Sequence, residues 1–410
     1  MNYIKRDLED IIITKLTNEK AIFILGPRQV GKTTILRRLQ QVVDSNTLYY
    51  DIEFPENLTL FSSSIEDILI RLRFDRKDAN KICYVFLDEI QYLNDFSQKV
   101  KLFCDHYAKE FKLILTGSSA ALIKHQFEES LVGRKEIFNL YPLNFKEFCR
   151  FKGEEKIAES IEKSELSSSN PLLQISSKME ELLSEYTLYG GYPEVVLNKT
   201  AKEKITLLNE IVSSYIIKDI RHLFKIEKIE QLNRLVNYIA SNIGKELNFS
   251  NLANSIGIHR ETLQKYIDIL KESYIIVTIR PFYKNQPKEL RKMPKVYMLD
   301  TGLRNMLIND FTVLNSHPTK GELIENIAFN LLYFKRIDNQ TIYYWKTKTQ
   351  QEIDFIIREN SQIKAFEIKY GSNTSNHFTA FLNTYPTATC QIVRFKYCLK
   401  ENEIPLWKLT

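Results

Sequence analysis

AIFILGPRQVGKTTILRRLQ, residues 21–40, decides how this chain is read. Ala21–Leu25 is an unbroken apolar run of the kind that becomes a strand buried on both faces. The loop that follows matches G-x-x-x-x-G-K-[ST] through Gly26, Pro27, Arg28, Gln29, Val30, Gly31, Lys32 and Thr33, with Thr34 next. Ile35, Leu36 and Leu39 then recur at helical spacing. A strand, a glycine-rich loop and a helix in that order predict a phosphate cradle. The loop N–H groups converge on an anion and the helix N-terminus adds partial positive charge. In such a cradle Lys32 pairs with the β- and γ-phosphates, and the Thr33 hydroxyl is a ligand for Mg²⁺.

A second acidic element agrees with the first. Ile82–Asp88 (ICYVFLD) is almost wholly apolar and ends in Asp88, followed by Glu89. Parallel α/β sheets place ligands at the carboxyl ends of their strands. Asp88 is therefore expected to hold Mg²⁺, and Glu89 to orient and activate an attacking water. Thr116 and Ser118 end the next apolar strand. They are expected either to contact a γ-phosphate or to cap a helix. Arg134, which precedes a further strand, and Arg28, inside the loop, are each either an arginine finger or a surface arginine.

Bulk properties set the frame. The chain has 410 residues, 44% hydrophobic and 26% charged, with a net charge of +6. That is enough length for several domains and too mild a charge to demand a nucleic-acid partner. The five cysteines show no paired spacing, which argues against a disulfide framework or a structural zinc site. The charged start, MNYIKRDLED, lacks the apolar core of a signal peptide, and no apolar run approaches about 18 residues. A cytoplasmic protein without a membrane partner is expected.

Along the chain, helical spacing predicts a leading helix over residues 2–18 and strands alternating with helices up to Leu140, a doubly wound α/β domain over 1–150. Residues 151–228 read as a helical lid or connector, with a serine-rich charged stretch and a long helix over 205–224. In 229–300, three helices (231–243, 249–256, 260–273) and a hairpin predict a winged-helix-like domain. Its basic wing, Arg280 to Lys295 with Lys284, Lys288, Arg291 and Lys292 against Glu289, would suit DNA phosphates. The candidate recognition helix, however, mixes Glu261, Asp268 and Glu272 with Arg260, Lys265 and Lys271. In 301–410, EIDFIIRENSQIKAFEIK predicts a hairpin in which Glu359 faces Gln362. Asp354 then lies opposite Glu367, and Lys369 shares their face. Two carboxylates and a lysine, completed by Glu325 or Glu322 from the preceding helix, would make a metal-assisted phosphodiesterase site. The alternative is charged cross-strand pairing on a sheet surface.

Together these blocks resemble the bacterial and archaeal AAA-type P-loop ATP-binding proteins that have a C-terminal domain of unknown function. The similarity runs through GPRQVGKTT, FLDEIQ, LTGSSA, ESLVGRKEIFNLYPLNFKEF, YGGYPEVV, SYIIKDI, YMLDTGL, GELIEN, EIDFII and FEIKYG. The resemblance implies ATP as the nucleotide, an AAA-related core, a winged-helix-like middle and a restriction-endonuclease-like end. Three functions remain open at this level: an ATPase that drives the C-terminal half, with DNA and further copies of the chain as candidate partners; an ATP-gated DNA nuclease using Asp354, Glu367 and Lys369; and a nucleotide-dependent protein-binding regulator.

Overall fold

The computed structural model describes residues 3–43, 46–94, 96–118, 131–162, 172–224, 226, 228–283, 293–336, 340–359, 362–371, 378–396 and 403–410. They form two compact units. One is Met1–Tyr141 with Glu272–Tyr274, and the other is Pro142–Lys271 with Ile275–Thr410.

The first unit is built on β1 (Ala21–Leu25), buried at every position as its composition requires. With β2 (Thr47–Asp51), β3 (Cys83–Asp88), β4 (Phe111–Gly117) and β5 (Lys135–Asn139) it makes a five-stranded sheet in the order β2-β3-β4-β1-β5. Every neighbouring pair is parallel. Helices such as Lys32–Val42, Ile65–Asp75 and Phe96–His106 make the returns between parallel strands. Because β4 lies between β1 and β3, the ends Leu25, Asp88 and Thr116 reach one edge side by side. Gly26 must be glycine here. A Cβ on it would lie 2.0 Å from the Leu140 carbonyl oxygen, where the chain leaves β5. The leading helix is shorter than its apolar spacing suggests, Asp7–Ile13; Leu16 is buried from the turn beyond it.

In the second unit the helix expected over 205–224 is instead Ala201–Ile211, a wide π-turn segment Val212–Asp219 and a last turn Ile220–Leu223. The three helices expected next are Ile229–Ser241, Phe249–Ile256 and Arg260–Glu272. Gly257, at φ 78°, ends the second of them in the left-handed conformation glycine favours. An antiparallel pair follows, β6 (Ile276–Pro281) with β7 (Lys295–Met298). These two strands continue into a larger sheet with β8 (Thr341–Lys346), β9 (Glu352–Glu359), β10 (Gln362–Lys369), β11 (Thr389–Arg394) and β12 (Glu403–Pro405). Its order is β12-β11-β10-β9-β8-β6-β7. The strands β8, β9 and β10 pair antiparallel, whereas β10, β11 and β12 pair in parallel.

The helix Lys320–Lys335, buried from Leu323 to Leu332 except at Glu325, contributes Phe329 to a ring cluster with Tyr297 and Phe355. Phe381 and Tyr385 pack instead with Trp345, Ile353, Ile356 and Ala365. Among the described residues, no helix is long and apolar enough to cross a membrane.

Candidate nucleotide site and a charged cluster

The loop after β1 turns by placing Gln29 (φ 63°) and Gly31 (φ 97°) in the left-handed region, which curves its N–H groups into a concavity. Lys32 begins the helix and is 3% exposed. Its Nζ donates to the Pro27 carbonyl at 2.9 Å and lies 4.0 Å from Glu89 Oε1. Burial pulls its pKa below the ordinary lysine value, opposed by the charges of Glu89 and Asp88. The Thr33 hydroxyl donates to Asp88 Oδ2 at 2.7 Å. A hydroxyl and a carboxylate so paired are the hard oxygen donors that Mg²⁺ selects, so these residues fit that ion. Arg28 donates to the Tyr92 hydroxyl at 2.8 Å, Pro27 and Val30 are buried, and Thr34 is exposed.

Three further side chains organise the acids. Tyr49 Oη donates to Asp88 Oδ2 at 2.9 Å, and burial together with Asp88 raises the phenol pKa. Thr116 Oγ1 donates to Asp88 Oδ1 and accepts from the Glu89 N–H at 3.2 Å. Glu89 itself has φ 59°, rare for a residue with a side chain and frequent where function demands it. Gln91 Nε2 donates to the Glu89 carboxylate, while Gln91 Oε1 accepts from the Ser118 N–H at 3.2 Å. Thr116 thus joins the two acids to each other, a role outside both sequence alternatives. A helix cap by Ser118 would involve residues outside the described ones. The sequence reading missed Tyr49 and Gln91. Gln91 stood in the FLDEIQ block, but only the sheet order brings Tyr49 to Asp88, through the parallel pairing of β2 with β3.

Arg134 is a correction. Its carbonyl accepts from the Ala21 N–H at 2.9 Å, and its side chain pairs with Asp105. Ala21 is the first residue of β1, so Arg134 sits at the amino-terminal edge of the sheet. The loop Gly26–Thr33 lies a five-residue strand away, about 16 Å. Arg134 is not a finger for the site of its own chain.

The expected C-terminal metal set is corrected too. The β9–β10 ladder pairs Glu359 with Gln362 as anticipated and runs to Phe355–Phe366, one step short of Asp354 and Glu367. There β9 bulges. Tyr343 pairs with Ile356 and Trp345 with Ile353, leaving Asp354 and Phe355 together opposite Tyr344. The Asp354 carboxylate accepts from the Ile368 N–H at 2.7 Å, and Glu367 pairs with Lys369 at 2.8 Å. Glu325 accepts from Lys295 at 3.1 Å and from the Tyr297 hydroxyl at 2.6 Å. Lys295 also pairs with Glu352, which is 3.3 Å from Lys346. Burial raises the Asp354 pKa, and the Glu325 charge raises it further. Burial of Lys295 is overcome by the charges of Glu325, Asp354 and Glu352, which keep it protonated.

Among the described residues, no three acid, histidine or cysteine side chains stand together so as to hold a metal ion. Glu325, Asp354 and Glu352 instead surround a lysine that is 3% exposed, Lys295, while Glu367 pairs with Lys369. The same burial removes Lys295 from the basic wing. Lys284, Lys288, Glu289, Arg291 and Lys292 lie outside the described residues.

Residues 18–149 match an AAA domain, and residues 180–313 and 320–404 match two domains of unknown function, DUF8612 and DUF4143. Among curated proteins, the chain is 27% identical over 386 residues to an uncharacterized protein, MJ1544, of Methanocaldococcus jannaschii, covering 91% of this chain and 79% of that one. It is 24% identical over 368 residues to an uncharacterized protein of Haemophilus influenzae, covering 87% and 84% respectively. Among solved structures, the Walker-type ATPase PABY2304 of Pyrococcus abyssi shares 15% identity at a TM-score of 0.47, over 74% of this chain and 96% of that one. The RuvB Holliday junction branch migration motor of Thermotoga maritima shares 16% at a TM-score of 0.34, over 70% and 95%.

Proposed function

We propose that this chain, which joins an AAA-type P-loop domain to a C-terminal domain of unknown function, is a Mg²⁺-dependent ATPase whose nucleotide state governs its C-terminal half. The observation that supports this most is the meeting of Thr33 and Asp88 at 2.7 Å, with Glu89 beside Lys32 at 4.0 Å. The loop N–H groups and Lys32 bind the β- and γ-phosphates. Thr33 and Asp88 would hold Mg²⁺, which when bound would neutralise charge on the phosphate oxygens. Glu89 accepts a proton from the water that attacks the γ-phosphorus, and ADP and phosphate leave. Phosphoryl transfer asks for little beyond positioning and charge stabilisation, so this set is nearly sufficient. Arg28, at the loop, is the remaining arginine-finger candidate, its side chain resting on Tyr92 at 2.8 Å and on Glu53 at 3.4 Å.

For the C-terminal half, the helix Lys320–Lys335 followed by β8, β9, β10, a helix and β11 favours a restriction-endonuclease-like frame without a cleavage site. Lys295 already stands among its acids. The three helices and the hairpin before it favour a winged-helix-like module.

The test is ATP binding and turnover by the full chain with Mg²⁺. Lys32→Ala should lose both. Glu89→Gln should bind ATP as wild type does and hydrolyse it about 100-fold more slowly, the scale of general-base catalysis. Turnover unaffected by either change would overturn the assignment.

A further inference from the structure

The helix Arg260–Glu272 looks unpromising in sequence because its charges are mixed, yet on the helix one stripe is free of acids, while Lys265 lies about 140° round from Arg260, with the acids. At about 100° per residue, Arg260, Gln264, Ile267 and Lys271 fall within an arc of about 60°. Glu261, Asp268 and Glu272 lie about 80–120° round from Arg260. The basic stripe runs for about 16 Å at 1.5 Å per residue.

That stripe lines a cleft of about 380 Å³ in the second unit. Arg280 of β6 adds a third cation to it, and Ser250, Gln264 and Thr278 supply neutral hydrogen-bonding groups. No carboxylate lines it among the described residues. Lys271 is 3.2 Å from Asp268, an exposed pair of little energetic weight, whereas Arg260 and Arg280 have no acidic partner among the described residues. All three cations are exposed. The helix Phe249–Ile256, capped by the Asn248 side chain, opens its first turn toward the same cleft.

We infer that this cleft binds the sugar-phosphate backbone of duplex DNA. Cations spread over about 16 Å can meet more than one phosphate of a helix that bears a charge per about 1.7 Å of its axis. Hydroxyl and amide groups between the cations suit phosphate oxygens, which position a protein on the duplex without reading its sequence. The cleft contributes affinity and register, and its binding is independent of base sequence and sensitive to salt. The inference rests on the second unit alone and does not require the ATPase assignment.

The test uses the full chain and a fluorescent duplex of arbitrary sequence, with anisotropy read at about 50 and about 200 mM salt. Wild type is expected to bind both of two unrelated sequences equally and to weaken steeply with salt. Arg260→Gln with Arg280→Gln should bind at least tenfold more weakly and lower the salt slope by about one for each charge removed. The lysine double variant, R260K with R280K, should restore most of the binding, which separates charge from folding. Lys32→Ala should bind DNA as wild type does, so a failed ATPase reading leaves this result intact. A wild type that does not bind, or a glutamine variant with unchanged affinity and slope, would each overturn the inference.

Discussion

At the scale of single residues, the aim of Glu89 is the most informative detail. Its backbone is held at φ 59°, and its carboxylate is fixed by Gln91, which also accepts from the N–H at the end of β4. A glutamate that must present one oxygen to a water gains from such a clamp, because small misplacement costs large factors in rate. Gln91 touches neither phosphate nor metal in this scheme, so it is a positioning residue. Gln91→Ala is expected to lower kcat about tenfold while leaving ATP affinity within about twofold, since the loop, Lys32 and Thr33 are untouched. The two constants should be measured separately. A fall in affinity matching the fall in kcat would mean that Gln91 supports the loop and not the glutamate. Neither Gln91 nor Tyr49 was legible as functional in the sequence, because each acts across strands whose neighbours are set only by the sheet order.

At the scale of elements, Asp300 clips two segments of the second unit. Its buried carboxylate caps the helix Thr301–Leu307 through the Leu303 N–H at 2.9 Å and accepts from the Gly191 N–H at 2.8 Å. Burial pushes its pKa up to about 6, although these N–H groups pull the other way. The folded state therefore keeps a proton on Asp300 that the unfolded chain, near the ordinary carboxylate value of about 4, has lost. Native protein binds more protons in that window, so stability from this group is present below about pH 4 and falls as pH rises to about 6. The swing is on the order of 3 kcal/mol. Asp300→Asn removes the titration. The wild type minus variant difference in denaturation midpoint should shift in favour of wild type on acidification from about pH 7 to about pH 5. A pH-independent difference would show that Asp300 does not titrate there.

Elements were also where the sequence was most legible. Strands β1 and β3, the helices over 249–256 and 260–272, and the Glu359–Gln362 register all follow from apolar spacing and turn chemistry. The errors have physical causes. Arg134 precedes its strand, and in a parallel sheet that is the edge opposite the ligand edge. Extending the β9–β10 register by arithmetic assumed a regular strand, but the ladder stops at Phe355–Phe366, where β9 bulges against β8, and the Asp354 carboxylate accepts from the Ile368 N–H. Lys295 looked like a wing cation because charge in sequence carries no sign of burial.

At the scale of the whole molecule, the sequence divided the chain into four parts, whereas the described residues group into two units. The reason lies in the sheet. Strand β6 pairs with β7 on one side and with β8 on the other, so the hydrogen-bonded ladder crosses residue 300 without a break. Asn326 accepts from the Met298 N–H at 2.9 Å and donates to the Met298 carbonyl at 2.7 Å, tying the buried helix to β7. Lys346 pairs with Glu246 at 2.8 Å across the same expected boundary. Segments so joined should lose their structure together, whereas the unit holding Gly26–Thr33 has its own sheet and core. Calorimetry of the full chain is therefore expected to show two transitions. Mg²⁺ with ATP at about 100 times its dissociation constant should stabilise one of them by about 2.7 kcal/mol, as a ligand bound only by folded protein must. Lys32→Ala should abolish that shift and leave the other transition in place. Asp300→Asn should move only the transition that nucleotide leaves alone, because the two changes act on different units. A single transition raised by nucleotide and lowered by Asp300→Asn would mean that the chain melts as one body, and the division into two cooperative units would have to be abandoned.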